Sequence, residues 1–343
     1  MSTPTKNRIE RVAIAGATGN IGSVLTDEVL KAGKHTVTVL ARAGGSNTSL
    51  PAGVKVAIVD YDDEDSLVAA LKGQQFLVIA IAIYSGADAN HKLVVAAAKA
   101  GVPHVMPNYW GADIDNQTYF KSTLNAEASR ALIRDVEDQG VSTCTPMVCN
   151  TWYEYSLSMG IDFYGIDVIN KKAVLFDDGL TKINTSTWRQ CGRALAALLA
   201  LPVHPSSPDD GKPTLSKWFN KPLYVSSFLL SQRDMVDSLH RVMGTTDADW
   251  DIKYEPSRER YEKAKEAFEG GDRRALPRCL YSCIFFPGGG GDYESTKGTA
   301  NQELGLPVED LDEATRRAID MTQPDGWRDG FVARYSAALG VTL

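Results

Sequence analysis

Residues 11–42, RVAIAGATGNIGSVLTDEVLKAGKHTVTVLAR, place a glycine-rich turn between two hydrophobic segments. Gly16, Gly19 and Gly22 follow a predicted strand directly and open a predicted helix. Glycine lets the backbone turn tightly, approach a pyrophosphate and pack the helix on the sheet, while the helix N-terminus supplies free amides and a positive dipole. The pattern predicts a nucleotide-binding βαβ unit; a turn with a purely structural role is the alternative.

Short apolar segments alternate with helical patterns through the first 150 residues, as in βαβ units around a parallel sheet. The predicted strands cover residues 12–15, 36–40, 55–59, 76–81, 104–106 and 142–146. The predicted helices cover residues 21–32, 63–71, 89–100 and 124–139. Right-handed crossovers would place these helices on both faces of the sheet. The fold class is therefore α/β, a Rossmann-type doubly wound parallel sheet with a smaller C-terminal substrate-binding region.

The sequence after residue 150 is less regular. Residues 151–167 are aromatic without clean periodicity, typical of a loop that lines a pocket, and residues 172–187 predict a hairpin that turns at Asp178-Gly179. Further helices are predicted after a cap at Ser186 or Thr187, before Gly244, over 257–269 and near 310–321. We expect residues 1–150 to form the Rossmann domain, with sheet elements returning from about 172–232, and residues 151–343 to form a substrate-binding or cap region.

The end of the second predicted strand, at Arg42, indicates which dinucleotide is bound. A site selective for NAD usually carries an acidic residue there, which bonds the ribose hydroxyls. Arginine instead suits a 2′-phosphate, because a guanidinium is always charged and binds through a planar fork. The sequence therefore predicts NADPH, with a solvated surface arginine as the alternative. Asp60 and Tyr61 are expected beside the adenine, and Ile81 and Ala82 beneath the adenosine ribose; ordinary strand-end packing is the alternative for each.

With these residues placed, the chain resembles the atypical short-chain dehydrogenase/reductases of the NmrA-like and isoflavone-reductase-like group, and most closely their fungal CipA-type members. The matching stretches run from GATGNIG at 16–22 through 59–78, 100–108 and 176–201 to 226–250 and span nearly the whole chain. The resemblance implies a pyrophosphate held by Gly16, Thr18, Gly19, Asn20, Ile21 and Gly22. It also implies a 2′-phosphate on Arg42, Asn108 near the nicotinamide ribose, and a loop from Val148 through Asn150 to Trp152 over the nicotinamide.

The resemblance further implies a lysine on the helix before the sixth strand, close to the nicotinamide. The corresponding helix here, LNAEASRALIRDVEDQG, has Ser129 or Arg130 at that place. Arginine keeps its proton because of its high pKa, and serine donates poorly without a partner. Tyr109 and Lys121 are therefore the candidate proton donors; a packed loop tyrosine and a solvated lysine are the alternatives.

Large aromatic residues cluster around the expected nicotinamide position. Relatives commonly have an acidic residue at Tyr109 and a smaller aromatic one at Trp110, so two large rings here narrow the pocket and favour a planar substrate. The predicted substrate-binding residues are Trp110, Trp152, Tyr153, Tyr155, Phe285 and Phe286.

Other motifs are interpreted as incidental. The Tyr-x-x-x-Lys spacings at Tyr261/Lys265 and Tyr293/Lys297 are taken as chance on solvated faces. His91 and His104 are taken as a surface and a strand residue, without an acidic partner at a useful spacing.

Composition and missing motifs exclude several classes of protein. The net charge is −7 without a basic run longer than a pair, which argues against nucleic-acid and polybasic membrane binding. An N-terminal apolar signal region and an 18-residue apolar segment are both lacking, so a cytoplasmic location is expected. Metal, hydrolase and kinase motifs are lacking too. The five cysteines are expected to be reduced core thiols.

The sequence thus predicts an NADPH-dependent reductase that transfers a hydride to a small aromatic or polyketide-like substrate. A cofactor-binding redox sensor or regulator without turnover is one alternative, favoured by the missing lysine. A non-redox enzyme on the same scaffold is the other. A homodimer is left open.

Overall fold

The structure is a computed structural model that describes residues 7–44, 50–82, 88–324 and 326–339. From the sequence, no signal region is expected at the N-terminus. Residues 1–6 of that segment lie outside the described residues. Among the residues that are described, no helix is long and apolar enough to cross a membrane.

Fifteen strands and thirteen α-helices are formed in the described ranges. The strands are β1 (Arg11–Ala15), β2 (Thr36–Arg42), β3 (Lys55–Val59), β4 (Phe76–Ile79), β5 (His104–Met106), β6 (Trp110–Gly111), β7 (Thr143–Cys144), β8 (Met147–Val148), β9 (Thr151–Trp152), β10 (Ile166–Asp167), β11 (Lys172–Phe176), β12 (Ile183–Ser186), β13 (Leu223–Tyr224), β14 (Phe228–Leu230) and β15 (Asp251–Glu255). The helices are α1 (Asn20–Ala32), α2 (Glu64–Leu71), α3 (Ala89–Ala100), α4 (Gln117–Ser122), α5 (Ala126–Asp138), α6 (Tyr153–Ser158), α7 (Trp188–Leu199), α8 (Gln232–Met243), α9 (Ser257–Glu269), α10 (Ala275–Ile284), α11 (Glu294–Lys297), α12 (Leu311–Met321) and α13 (Trp327–Leu339).

The main sheet has six parallel strands in the order β3-β2-β1-β4-β5-β7. Its side chains alternate between two apolar layers. Val12 and Ile14 of β1 pack with α1 and α7, whereas Ala13 and Ala15 pack with α2, α3 and α5. This is the doubly wound α/β fold that the sequence predicts, with the strand order of a dinucleotide-binding sheet.

Three small sheets complete the fold, in the orders β10-β11-β15, β14-β12-β9 and β13-β8-β6. Within the described ranges, no strand from residues 172–232 joins the six-stranded sheet. Instead, β13 and β12 pair with β8 and β9, which directly follow that sheet in the chain, and α7 returns to pack against α1.

Two sequence predictions were wrong. Residues 172–187 do not form a hairpin, because β11 pairs with β15 while β12 pairs with β14 and β9; Asp177 and Gly179 adopt left-handed conformations between the two sheets. Residues 151–167 are not a loop: they form β9, α6 and β10 and are largely buried. Aromatic residues obscured the helical period there because both faces of α6 are covered.

Other predictions were confirmed. The bounds of β3, β5, α3 and α9 are those predicted. The Thr187 side chain caps α7 by accepting from the Gln190 amide, and Gly244 ends α8 in the left-handed conformation. All five cysteines are buried and free.

Candidate functional site

The glycine turn lies between the end of β1 and the start of α1. Gly16 has a φ of 89°, and its carbonyl accepts a hydrogen bond from the Gly19 amide at 2.9 Å. Gly19 is the N-cap of α1 and provides no side-chain cap, and the first turn of the helix carries no acidic residue. The amides of Asn20, Ile21 and Gly22 therefore lack intrahelical acceptors at the positive end of the helix.

Side chains are excluded from this turn by close backbone contacts. A Cβ on Gly16 would lie 2.2 Å from the carbonyl oxygen of Ala80, and one on Gly22 would lie 2.0 Å from the carbonyl oxygen of Gly16. The turn thus packs directly on the end of β4, and its amides remain uncovered by side chains of its own. This arrangement fits the pyrophosphate of a dinucleotide, and Thr18, exposed at the tip of the turn, is compatible with the same role.

Arg42 is exposed at the end of β2, one strand away from the glycine turn. Tyr61, which follows β3, is close enough that the Arg42 charge opposes the burial that raises the pKa of Tyr61. Asp60 is exposed and accepts from the Asp62 amide at 2.9 Å. An exposed guanidinium at this strand end fits a 2′-phosphate, while the roles predicted for Asp60 and Tyr61 stay predictions.

The ends of β4 and β5 are joined by side-chain hydrogen bonds. Asn108 donates its amide to the Ile81 carbonyl at 3.0 Å, and the Trp110 indole donates to the Ile79 carbonyl at 3.1 Å. Ala82 is exposed just beyond. Carboxyl ends of parallel strands are where α/β sheets bind ligands, so these bonds fix the floor of the candidate site.

A cavity of about 180 Å³ lies beside these strand ends. Its wall is mostly aromatic and apolar, and the lining residues are Trp110, Gly111, Ala112, Tyr119, Asn150, Thr151, Trp152, Tyr155, Leu280, Tyr281 and Ile284. Three of the six predicted substrate-binding residues, Trp110, Trp152 and Tyr155, are therefore brought together.

The other three predicted substrate-binding residues belong to the packed core, which corrects the prediction. Tyr153 is fully buried, and its hydroxyl bonds to Thr315 Oγ1 at 2.7 Å. Phe285 and Phe286 are also buried, Phe285 against Phe176 and Phe286 against Tyr261, because they follow α10 on the side away from the cavity.

Asn150 is the polar residue of the cavity wall with the most unusual environment. Its φ of 52° is left-handed, its side chain is buried, and its amide nitrogen donates to the carbonyls of Asn184 at 2.7 Å and Gly291 at 3.4 Å. Within the described ranges, its Oδ1 has no hydrogen-bond partner. A strained residue with an unpaired buried acceptor is typical of a ligand-binding position. Val148, two residues earlier, is buried and lies against a second cavity instead.

The two predicted proton donors do not line the 180 Å³ cavity. Tyr109 is buried, its hydroxyl donates to the Ala112 carbonyl, and it lines the second, 110 Å³ cavity. Burial raises the pKa of Tyr109 well above its ordinary value. Lys121 is exposed on α4, two positions beyond Tyr119 and hence on another side of that helix. The loop between β5 and α4 therefore places neither Tyr109 nor Lys121 in the wall of this cavity, and their predicted role as proton donors stays a prediction.

Arg130, one of the two residues predicted at the expected lysine position, is engaged by partners outside the cavity. Arg130 donates to the Ile114 carbonyl at 2.9 Å and to Asp115 at 3.1 Å, and its guanidinium lies over the Phe120 ring. It also lines the second cavity. Arg130, which lies on α5, therefore stabilises the loop before α4.

Two interpretations of incidental motifs need correction. Tyr293 is buried rather than solvated and donates to the Val225 carbonyl at 2.6 Å. Lys297 forms an ion pair with the buried Asp113 at 2.5 Å. His91 does have an acidic partner, since its Nδ1 lies 2.7 Å from Oδ1 of Asp135. Asp135 lies on α5, too far along the chain for the local sequence pattern to indicate the pair.

The sequence analysis missed one whole wall of the cavity. Leu280, Tyr281 and Ile284 come from α10, a helix for which the sequence analysis made no prediction. The spacing of Leu280 and Ile284 is that of one helix face, which was the available signal. The segment beyond α12 was also missed: Trp327 of α13 packs near Tyr155 and Trp188, and its indole lies 3.4 Å from the Asn20 side-chain oxygen.

Comparison with known proteins finds a family match for the first part of the chain and a curated relative along most of its length. Residues 8–159 match the model of the NmrA-like family. The oxidoreductase aprR of Aspergillus flavus is 27% identical over 318 residues, which span 88% of this chain and 96% of aprR.

Two solved structures share the fold. Isoflavone reductase superposes with a TM-score of 0.69 at 20% identity, covering 91% of this chain and 99% of its own. AtPrR2, solved with NADP+ and (+)pinoresinol, gives a TM-score of 0.70 at 18% identity, covering 90% and 98%. Residues 8–159 therefore match the NmrA-like family, as the sequence motifs predict, and the chain shares its fold with isoflavone reductase.

Proposed function

We propose that the protein, an oxidoreductase of this family, uses NADPH to reduce a small planar aromatic molecule. One observation carries the proposal: the glycine turn and the aromatic cavity meet at the end of the same strand. Gly16 packs on Ala80, and Trp110 of the cavity wall bonds to Ile79, the residue before it. A dinucleotide held at the turn would extend across this strand end toward the cavity.

The cofactor would be held along the carboxyl ends of β1, β2, β4 and β5. The uncovered amides of Asn20, Ile21 and Gly22 suit the pyrophosphate, and Arg42 suits the 2′-phosphate. Asn108 and Asn150 lie toward the cavity, and the unpaired Oδ1 of Asn150 suits an N–H or O–H donor of a ligand. NADPH, when bound, supplies the two electrons of the reduction. We propose the same division for the chain as a whole, with residues 1–150 binding the cofactor and 151–343 completing the substrate region.

The aromatic walls support the proposed substrate class. Trp110, Trp152 and Tyr155 offer flat faces, and Leu280 and Ile284 offer apolar contact. Such a cavity excludes water and selects planar ligands by shape and ring contacts. AtPrR2, which shares the fold, was solved with a ligand named (+)pinoresinol in addition to NADP+.

The cofactor assignment is tested by titrating the protein with NADPH and NADH and following nucleotide fluorescence. We expect tighter binding of NADPH, and we expect Arg42→Ala to remove that preference because a charge-assisted bidentate contact is lost. Lys34→Ala is the matched control, since it removes an exposed positive charge just before the other end of β2. Equal affinities for the two nucleotides in the wild type would refute the assignment.

Activity is tested by following NADPH oxidation with phenolic enones, quinones and aryl ketones. Turnover of at least one planar aromatic compound, with none for aliphatic ketones of similar size, is the expected result. NADPH binding without turnover of any of them would favour the second candidate, a redox sensor. The specific observation in favour of a sensor is that Arg130, at the family lysine position, is engaged by Ile114 and Asp115.

A further inference from the structure

The cavity wall contains several hydroxyl and amide groups whose hydrogens are already used. The Trp110 indole donates to Ile79, and the Asn150 amide donates to two carbonyls. These two side chains therefore offer no N–H hydrogen to a ligand.

Thr151 is also committed, through a directed chain of hydroxyl groups. Thr185 Oγ1 donates to the Thr151 carbonyl at 2.7 Å, so it can only accept from the Tyr164 hydroxyl, 2.7 Å away. Tyr164 in turn must accept from Thr151 Oγ1, also at 2.7 Å. Because each hydroxyl has one hydrogen, the hydrogen of Thr151 points into the protein and only its lone pairs face outward.

The hydroxyl hydrogen of Tyr281 is not committed in this way. Its hydroxyl lies 2.7 Å from Oγ of Ser156, a fully buried side chain on α6. The other hydroxyl near Ser156 is that of Tyr164, which is already engaged by two threonines. Either hydroxyl of the Ser156–Tyr281 pair can be the donor. When Ser156 donates to Tyr281, the buried serine is satisfied and the Tyr281 hydrogen is left for a ligand in the cavity.

The Tyr281 ring is held in place by its neighbours. It meets the Phe163 ring edge-on with centroids 4.9 Å apart and the Tyr164 ring with centroids 5.6 Å apart. Burial raises the pKa of Tyr281 well above its ordinary value, so the hydroxyl keeps its hydrogen at neutral pH. The residue is therefore a fixed, neutral hydrogen-bond donor in an apolar cavity.

We propose that Tyr281 is a catalytic residue that donates a hydrogen bond to the substrate oxygen on which negative charge develops during reduction, with Ser156 as its positioning residue. The proposal rests on the proposed reductase function and assigns the electrostatic part of catalysis to α10, in a chain that lacks the family lysine. A preorganised donor of this kind acts mainly on the transition state, because the charge is absent from the bound substrate.

The test uses 4-nitrophenol, whose ionised form carries a negative oxygen on a single aromatic ring. Binding to the full chain is measured by equilibrium dialysis at one pH where the probe is ionised and one where it is neutral. We expect Tyr281→Phe to weaken binding of the ionised form roughly tenfold or more, and of the neutral form much less, because bonds to charged groups are stronger. Tyr224→Phe removes a tyrosine hydroxyl that lies outside this cavity and donates to Asp113 at 3.0 Å, and it is expected to change neither.

Kinetics provide the second measurement. Tyr281→Phe should lower kcat by about 10²-fold, the usual effect of losing one such donor, with the Kd for NADPH unchanged. Ser156→Ala should lower kcat less, and it should also weaken binding of the ionised probe, because the Tyr281 hydroxyl is no longer oriented.

Equal affinity of wild type and Tyr281→Phe for the ionised probe overturns the proposal. So does a loss in Trp152→Phe without one in Tyr281→Phe, since the indole N–H of Trp152 also lacks a partner among the residues described. If Tyr281→Phe does not fold, the affinity of Ser156→Ala for the ionised probe decides instead. Failure of the wild type to bind or oxidise NADPH would instead refute the proposed function, while the probe would still report on Tyr281.

Discussion

Replacing Gly22 by alanine places a methyl group where the structure has no room for one. Gly22 is in the first turn of α1, and its Cβ would lie 2.0 Å from the carbonyl oxygen of Gly16, about 1 Å inside the shortest separation that real Cβ atoms show. Gly16 cannot retreat, because it already packs on the Ala80 carbonyl at the end of β4. The helix must therefore move away from the turn, and the amides of the turn are separated from those of α1.

The expected cost combines two opposing effects. Alanine is favoured over glycine inside a helix by about 1 kcal/mol, whereas overpacking of this kind costs about 1–3 kcal/mol. We expect Gly22→Ala to lower the free energy of unfolding by up to about 2 kcal/mol, and Tm by up to about 3 °C for a chain of this size. The Kd for NADPH should rise more than tenfold, because both sets of amides must meet one pyrophosphate.

Gly33→Ala at the other end of the same helix is the matched control. Gly33 has a φ of 65°, and an added Cβ would have nothing within 4 Å. Left-handed alanine costs about 1–2 kcal/mol, so the two variants should lose similar stability. Differential scanning fluorimetry and NADPH titration of both variants check this. NADPH affinity unchanged in Gly22→Ala, or equally weakened in Gly33→Ala, would refute the reasoning.

Two further predictions concern acid stability and the last helix. Burial lowers the pKa of His104 to about 4, so between pH 6.5 and 4 the unfolded chain takes up a proton that the folded chain does not. Stability should fall by up to about 3 kcal/mol across this window as pH decreases, and chemical denaturation of His104→Asn at several pH values should show a shallower decline. Trp327→Ala removes ring contacts to Trp188 at 5.3 Å and Phe331 at 5.0 Å, so α13 should be cleaved faster in limited proteolysis. Unchanged cleavage would show that these contacts do not hold the helix.

The six-stranded sheet was predictable because its information is local. Val12 and Ile14 face one apolar layer and Ala13 and Ala15 the other, and β1, β3 and β4 are each followed by a helix with its own apolar period. Glycine spacing at Gly16, Gly19 and Gly22 located the turn for the same reason.

The substrate side was less predictable because its contacts join distant parts of the chain. The strand Lys172–Phe176 pairs in parallel with Asp251–Glu255, and no local sequence pattern indicates this pairing. Tyr281 faces the cavity only because α10 packs beside α9 and α4. Phe285 and Phe286, equally aromatic and nearby in sequence, face the core instead. Composition identified an aromatic site, but tertiary packing decided which rings line it.

The α10 wall has a practical consequence for engineering. Leu280, Tyr281 and Ile284 stand on one helix, outside the residues that match the family model and away from the strand ends that suit the dinucleotide. A library that varies Leu280 and Ile284 alone should therefore reshape the cavity while leaving the glycine turn and Arg42 intact. For the proposed reductase, the preference for a substrate should therefore be changeable without altering the site for NADPH.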